Sequence, residues 1–384
     1  MSSFDRLCYL DNSATTRPFD EVISEMADAM ADGYFNPSAA YAPALAVEED
    51  LQRARGVMLG ALGGGGSVVF TSGGTEADNL ALFGAAERRK GRVIVSAIEH
   101  SAVAQAACKL RETHEVVTLD VDRGGYVDAQ ALHDAVTPDT VLVSIQHVNN
   151  ETGVVQDISE LAAAAHDKNP AVVFHSDGVQ AFLRAPLQCV AAGVDLYSVS
   201  AHKIHGPKGV GALFVRQGVK LLPQAHGGGQ ESGLRSGTEN VPAILGMARA
   251  VELCCRDMEQ ANARMMAQKM RLAEGLGAIE RSAVNGPLPR DGAPHILNVS
   301  FDGIKGEVLM RALSDEGIYV SMGSACSARL NKPSYTLSAM GVEFWRVKGA
   351  VRLSLGRFND DEDIERTIEA TRAQVKRLRT FVRR

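Results

Sequence analysis

A regular alternation between residues 68 and 175 constrains the fold more than any other feature of the sequence. Segments with helical periodicity separate five short, apolar, β-branched runs, at 68–71, 92–96, 116–119, 141–146 and 172–175. Runs of this kind are typical of strands that are covered on both faces. Strands that alternate with helices pair in parallel through crossover connections. The sequence therefore predicts an α/β fold with a mostly parallel sheet.

The pattern changes after Gly237. Residues 241–276 are predicted to form one long, bent helix, and shorter strands and helices follow. These predicted strands are 296–301, 318–320 and 351–354, and the predicted helices are 306–316 and 361–379. A chain of 384 residues is too long for one typical core. We expect a large domain at 17–255 and a smaller α+β domain made of 1–16 and 256–384.

Composition excludes several classes of protein. The formal charge of -6 is modest and does not favour direct nucleic-acid binding. The six cysteines show no Cys-x-x-Cys spacing, which argues against a disulfide framework or a structural zinc site. No apolar run is long enough for a membrane span, and the first ten residues lack a secretory signal. We expect a cytoplasmic protein with free thiols.

Lys203 follows a predicted strand at 196–200 and precedes a Gly-Pro turn. Ligands of α/β proteins bind at the carboxyl ends of strands, which is where this lysine is expected. One interpretation is a solvated surface lysine. The other is a lysine that forms a Schiff base with an aldehyde cofactor.

Two more strand ends carry polar residues. Residues 71–76, Thr-Ser-Gly-Gly-Thr-Glu, follow a strand and begin a helix, as in many phosphate sites, although a plain helix N-cap has the same appearance. Asp177 follows another strand, where it is either a turn residue or the partner of a pyridinium nitrogen. A single ligand, pyridoxal 5'-phosphate, would account for the phosphate loop, the carboxylate and the lysine together.

At this point the chain resembles the cysteine desulfurases of the nitrogen-fixation and iron–sulfur-assembly type, which are class-V aminotransferase-like enzymes of fold type I. The resemblance runs from residues 9–16 to 354–358. It rests on Thr-Ser-Gly-Gly-Thr-Glu at 71–76, Ile-Glu-His at 98–100, His-Val-Asn-Asn-Glu-Thr-Gly at 147–153, Ser-Ala-His-Lys at 200–203, Arg-Ser-Gly-Thr-Glu-Asn at 235–240 and Gly-Ser-Ala-Cys at 323–326. It implies a large domain with a mostly parallel seven-stranded sheet and a smaller α+β domain.

The resemblance also implies roles for single residues. Lys203 would bind the cofactor aldehyde, Asp177 would pair with the pyridine nitrogen, and His100 would stack on the ring and move protons. The remaining implied contacts are Gly74, Thr75, Ser200 and His202 with the phosphate, Asn149 (or, as the second option, Asn150) and Gln180 with the phenolic oxygen or the ring, and Arg352 with Asn36 at the substrate carboxylate. Thr238 would reach the phosphate of a partner subunit, which implies a homodimer with shared active sites.

Cys326 has flanks of Gly, Ser and Ala, which are poor material for a packed core. The other cysteines are predicted to be packing residues. The resemblance makes Cys326 the nucleophile that accepts sulfur as a persulfide, on a segment of the longer desulfurase type rather than the short type of selenocysteine-lyase-like relatives. His202 and His205 lack further ligands, so no metal site is predicted, apart from transient ligation of an iron–sulfur cluster by Cys326.

The predicted reaction converts L-cysteine to L-alanine and passes sulfur through Cys326 to an acceptor protein. The destination stays open between iron–sulfur assembly, nitrogenase maturation, tRNA thiolation and DNA phosphorothioation. The sequence ends at Arg384 without the longer tail by which housekeeping members dock a scaffold. The alternatives are a selenocysteine lyase, another class-V enzyme such as a transaminase, which needs no thiol, and a non-catalytic sulfur-transfer scaffold.

Overall fold

The structure is a computed structural model that describes residues 7–323 and 333–381. Its strands are β1 (Cys8–Tyr9), β2 (Gly66–Thr71), β3 (Arg92–Ser96), β4 (Glu115–Leu119), β5 (Thr140–Ser144), β6 (Val173–Asp177), β7 (Leu196–Ser200), β8 (Gly211–Arg216), β9 (Ser282–Asn285), β10 (Ile296–Phe301), β11 (Ile318–Tyr319) and β12 (Ala350–Ser354). Its α-helices are α1 (Asp20–Ala31), α2 (Ala42–Ala61), α3 (Gly74–Ala86), α4 (Ser101–Leu110), α5 (Ala129–Ala135), α6 (Ile158–Lys168), α7 (Val241–Arg256), α8 (Met258–Gly277), α9 (Gly306–Ser314), α10 (Tyr335–Ala339), α11 (Phe344–Gly349) and α12 (Asp361–Arg379).

Seven strands form the central sheet in the order β2-β8-β7-β6-β5-β3-β4. Strand β8 runs antiparallel to β2 and β7, and the other neighbours are parallel. Alternate side chains of β3 enter two different cores, since Ile94 packs with α2, α6 and α7 while Val93 and Val95 pack with α3 and α4. Helices therefore cover both faces of the sheet, which explains the unbroken apolar runs. The predicted α/β class is confirmed.

A second body of structure surrounds an antiparallel sheet, β12-β10-β9, and the short parallel pair β1-β11. Its hydrophobic cluster joins these strands to α8, α9 and α12. The cluster is separate from the two that flank the large sheet. The expected division into a large domain at 17–255 and a smaller one made of 1–16 and 256–384 stays a prediction.

The bent helical stretch predicted over 241–276 is helical, but it consists of two helices rather than one. Asp257, with φ -137° and ψ 30°, interrupts the helical backbone between α7 and α8. Its carboxylate forms an ion pair with Arg357, which lies after β12.

Strand β9 and the short helices α10 and α11 had no recognisable periodicity in the sequence. Across the described residues, every helix is too short or too polar to span a bilayer.

Side-chain ion pairs and hydrogen bonds hold residues 225–240, which contain Thr238, against the edge of the large sheet. The carboxylate of Glu231 is almost fully buried and accepts hydrogen bonds from Arg55 Nη1 (2.7 Å), Arg55 Nη2 (3.0 Å) and the Phe70 amide (2.8 Å). Arg235 Nε lies 3.0 Å from Glu76 Oε1 on α3. Two ion pairs thus hold this segment beside β2 and the start of α3.

We expect Glu231→Ala to lower the free energy of unfolding by about 3 kcal/mol. The substitution removes the acceptor of the partly buried Arg55 guanidinium and of the buried Phe70 amide. Urea denaturation of the ligand-free protein measures the effect. Glu112→Ala is the matched control, since Glu112 pairs with Lys109 where both side chains are 64% exposed, and its urea midpoint should not move. Equal midpoints for the two variants would contradict this account of the anchor.

Candidate active site

A pocket of about 260 Å³ opens where β6 and β7 end. Residues from both bodies of structure line it, together with the segment that follows β1. Among the predicted site residues, those that line the pocket are Gly74, Thr75, His100, Asp177, Gln180, Ser200, His202, Lys203 and Arg352. The fold thus brings together residues that lie up to 278 positions apart in the sequence, from 74 to 352.

Lys203 ends a single 3₁₀ turn, Ala201–Lys203, directly after β7. Its Nζ donates to the carbonyl oxygens of Ser13 (2.5 Å) and Ala14 (3.0 Å). The same segment is held from the other side, because the Thr16 amide donates to the His202 carbonyl at 2.8 Å. The lysine amine is therefore oriented inside the pocket and is not a solvated surface charge.

The start of α3 supplies free backbone N–H groups at one end of the pocket. A Cβ on Gly74 would lie 2.6 Å from Val179 Cγ2, so the helix start sits tightly against the turn that follows β6. Ser200 Oγ is buried and has no hydrogen-bond partner among the described residues. Burial, with smaller effects of Lys203 and Lys208, lowers the pKa of His202 to about 4. Helix N–H groups, a free hydroxyl and a neutral imidazole form a donor set for a phosphate.

Asp177 lines the same pocket at the end of β6. It is 5% exposed, and its Oδ1 accepts a hydrogen bond from the Val179 amide at 2.9 Å. Burial raises the pKa of Asp177, against the opposing effects of His100 and Lys203. A buried carboxylate in this position is suited to a cationic ring nitrogen, which would restore its charged form.

Asp78 lines the pocket and was not recognised in the sequence. It is 1% exposed. One carboxylate oxygen of Asp78, one of Asp177 and a ring nitrogen of His100 all lie within 4.8 Å of one another. Burial first, and then the charge of Asp177, raises the pKa of Asp78 well above its usual range. The available signal was a carboxylate at a buried position of α3, between the apolar residues Ala77 and Leu80.

His100 is the N-cap of α4. Its Nδ1 accepts a hydrogen bond from the Ala102 amide at 3.2 Å, which leaves the ring proton on Nε2. Burial lowers the pKa of His100, and the nearby Asp177 opposes this shift. The imidazole is consequently a neutral group that donates through Nε2.

Asn149 does not line the pocket, whereas Asn150 does. The Asn149 side chain is engaged in its own turn, where Nδ2 donates to the Ile98 carbonyl at 3.0 Å. Its Oδ1 accepts from the Glu151 amide, the Thr152 amide and Thr152 Oγ1 at 2.9–3.1 Å. The structure therefore places the second option, Asn150, at the pocket, and Asn149 shapes the turn that carries it.

Arg352, on β12, enters the pocket from the second body of structure. It is 2% exposed, and its Nη1 and Nη2 donate to the Asn150 carbonyl (2.9 Å) and to Asp11 Oδ1 (2.5 Å). Its Nε has no partner among the described residues. The guanidinium is thus fixed in orientation, and these two hydrogen bonds use only two of its five N–H donors at the pocket that it lines.

Gln180 supports the pocket rather than offering a free amide. Its Nε2 donates to the Ser13 carbonyl at 2.9 Å, and its Oε1 lies 3.3 Å from His295 Nε2.

Two further predicted site residues lie outside the pocket. Asn36 is exposed and accepts a hydrogen bond from the Ser38 amide, and Thr238 is exposed outside this pocket. Cys326 falls outside the described residues.

Comparisons with known proteins agree with this geometry. Residues 8–367 match the family described as "Aminotransferase class-V". The protein named "Cysteine desulfurase IscS" of Methanosarcina thermophila is 41% identical over 386 residues, covering 99% of this chain and 95% of the relative. A protein of the same name from Salmonella typhi is 42% identical over 382 residues, covering 97% and 93%.

The chain belongs to the class-V aminotransferase family. Among solved structures, a "NIFS-LIKE PROTEIN" superposes with a TM-score of 0.91 at 36% identity, covering 97% of this chain and all of that one. "DndA from streptomyces lividans" superposes with a TM-score of 0.76 at 32% identity, covering 89% and 97%. The resemblance found in the motifs and the fold that it implied are confirmed.

Glu99 precedes the family's pocket histidine and is 1% exposed. Its Oε1 accepts hydrogen bonds from Ser96 Oγ (2.5 Å) and from the Gln146 amide (3.0 Å). Burial raises the pKa of Glu99 to about 8. The folded state therefore binds this proton far more tightly than the unfolded state does, and stability falls as the pH rises from the ordinary glutamate pKa to about 8.

We expect Glu99→Gln to change the pH dependence of stability in the ligand-free protein. Between about pH 6.5 and pH 8.5 the wild type should lose about 2 kcal/mol relative to the variant, because only the wild type has a carboxyl group that is protonated in the folded state and ionised in the unfolded state. The buried histidines, whose pKa values are lowered, act on stability below this window. Urea titrations at the two pH values measure the difference, and parallel pH profiles would show that Glu99 does not titrate there.

Proposed function

We propose that this chain is a pyridoxal 5'-phosphate-dependent cysteine desulfurase that converts L-cysteine to L-alanine and transfers the sulfur to Cys326. The observation that carries the proposal is the single pocket shared by Lys203, Asp177 and the start of α3. Membership of a family in which nearly full-length relatives bear the name cysteine desulfurase supports it.

The residues present fit this cofactor. The partnerless Ser200 hydroxyl, His202 and the N–H groups at Gly74 and Thr75 suit its phosphate. The buried Asp177 carboxylate suits its ring nitrogen, and the Lys203 amine suits its aldehyde. When bound, this cofactor supplies an electron sink that stabilises negative charge on the carbon atoms of the attached amino acid.

The protein's own groups orient the substrate and move its protons. The Lys203 amine, aligned by the Ser13 and Ala14 carbonyls, takes the proton from Cα of cysteine. The neutral His100 carries its ring proton on Nε2 and donates it to the three-carbon fragment once the Cβ–S bond breaks. Arg352, already oriented by Asp11 and Asn150, binds the substrate carboxylate through N–H groups that these two contacts do not use. Asn36, which lies away from the pocket, takes no part in this proposal.

Cys326 supplies the nucleophile. Its thiolate forms an S–S bond to the substrate sulfur while the Cβ–S bond breaks. The electron pair of the broken bond stays with the three-carbon fragment, which takes up protons and leaves as alanine, and the sulfur remains on Cys326 as a persulfide. Cys326 is three residues from Gly323, so chain length keeps it within about 11 Å of that glycine. Gly323 is itself two residues from Ser321, whose backbone pairs with that of Arg352.

Two partners follow from the same proposal. Thr238 is exposed on an anchored segment outside its own pocket, which suits a contact with the phosphate in the pocket of a second copy and hence a homodimer. A persulfide must be handed on, so an acceptor protein is the second partner. Because the mechanism requires a reduced thiol, we also propose that the reaction takes place in the cytoplasm.

Lys203→Ala tests the cofactor assignment. After incubation with pyridoxal 5'-phosphate and removal of the excess, we expect the wild type to show an absorbance band at roughly 400 nm and the variant to lack it. Lys208→Ala is the matched control, because Lys208 is exposed five positions further on and should leave the band unchanged. A normal band in Lys203→Ala would overturn the role of this lysine.

Cys326→Ala tests the nucleophile. The variant should keep the visible band and release at least about a hundredfold less sulfide from cysteine and dithiothreitol, because no thiolate can attack the substrate sulfur. Cys108→Ala removes an exposed cysteine on α4 and should retain full activity. Wild-type sulfide release from Cys326→Ala would remove the cysteine from the mechanism.

A further inference from the structure

The buried carboxyl group of Glu151 contacts both described flanks of the segment 324–332. Ser334 Oγ, on the far flank, donates to Glu151 Oε2 at 2.5 Å. On the near flank, a Cβ at position 323 would lie 2.7 Å from the same oxygen, so the glycine backbone sits directly against it. Glu151 is 1% exposed, which excludes solvent from these contacts.

Glu151 is itself held rigidly beside the pocket. Its amide donates to Asn149 Oδ1 at 2.9 Å, and its carbonyl accepts from Asn298 Nδ2, on β10, at 3.1 Å. The preceding residue, Asn150, lines the pocket and accepts the hydrogen bond of Arg352. A displacement of Glu151 would therefore be transmitted to the substrate side of the pocket.

Both flanks are also fixed beyond their contact with Glu151. Ser321 exchanges two backbone hydrogen bonds with Arg352, at 3.0 and 2.6 Å. Ser334 Oγ accepts a hydrogen bond from the Leu337 amide at 3.0 Å, so the same hydroxyl caps α10 and contacts Glu151. Leu337 is fully buried in a small hydrophobic cluster with Ile98 and Val154. The two flanks thus meet at one buried carboxyl group between rigid supports.

We propose that Glu151 is a positioning residue for sulfur transfer, which holds the two flanks of the cysteine-bearing segment at the pocket turn and so sets the point from which Cys326 approaches the substrate. This inference rests on the proposed desulfurase function. Glu151 acts through Gly323 and Ser334 and takes no part in the bond changes.

Three pairs of variants, each loaded with pyridoxal 5'-phosphate, test the proposal. Ser334→Ala removes the contact, whereas Ser334→Thr keeps the hydroxyl. Glu151→Gln keeps the volume but replaces an acceptor oxygen by a donor, and its control is Glu160→Gln at an exposed position of α6. Gly323→Ala places a methyl group against Glu151, and its control is Gly303→Ala, which has a positive φ but nothing within 4 Å of the new methyl group.

We expect Ser334→Ala, Glu151→Gln and Gly323→Ala to lower kcat and the single-turnover rate of persulfide formation about 10- to 100-fold, because misplaced reacting groups lose orientation. The visible absorbance band and KM for cysteine should stay unchanged, which separates positioning from general loss of structure. Ser334→Thr, Glu160→Gln and Gly303→Ala should stay within about twofold of the wild type. Adding Gly323→Ala to Glu151→Ala should cost little more, since the oxygen that the methyl group meets is gone.

Wild-type kcat in Ser334→Ala and Glu151→Gln, in a protein whose Cys326→Ala variant is inactive, would overturn the proposal while leaving the desulfurase function intact. Wild-type sulfide release from Cys326→Ala would instead remove Cys326 from the mechanism on which the proposal rests. If Glu151→Gln does not accumulate as folded protein, the comparison of Gly323→Ala with Gly303→Ala decides together with the Ser334 pair, because it leaves the cap of α10 intact.

Discussion

The site depends on one buried guanidinium, that of Arg352. It lies on β12 in the second body of structure, yet its two terminal nitrogens bind the carbonyl of the pocket turn and the carboxylate of Asp11. A charge that is 2% exposed is tolerated only when partners compensate it. The same contacts hold the turn and the segment after β1 together, and that segment supplies the carbonyl groups that orient Lys203. The arrangement of the pocket thus follows from satisfying this cation.

Burial also sets the protonation states around the pocket. It raises the pKa values of Asp78, Glu99 and Asp177 and lowers those of His100 and His202. In a ligand-free pocket these shifts favour neutral acids and neutral imidazoles. A ligand that carries a cationic ring nitrogen and an anionic phosphate would oppose part of these shifts. The cation would lower the pKa of Asp177, and the phosphate would raise the pKa of His202. The electrostatics therefore suit the cofactor that the family resemblance implies.

Much of the site could be predicted because its residues follow strands. Asp177 is the last residue of β6 and Lys203 follows the end of β7 by three residues, and the carboxyl ends of neighbouring parallel strands meet at one edge of a sheet. This reasoning does not distinguish Asn149 from Asn150, which are adjacent in one turn. Asn150 lines the pocket, whereas the Asn149 side chain is hydrogen-bonded to the Ile98 carbonyl. The break at Asp257 was missed for a similar reason, because its partner Arg357 lies a hundred residues away.

The sequence by itself determined the parallel sheet, the strand-end lysine and carboxylate, and the family, because these depend on local periodicity and on short contiguous motifs. Only the tertiary structure decided which amide faces the pocket, that Asp78 lies beside Asp177, and that Glu151 joins the two flanks of the Cys326 segment. The physical reason is that these contacts connect residues far apart in the chain. Their geometry follows from how the helices and strands pack, and no local pattern records it.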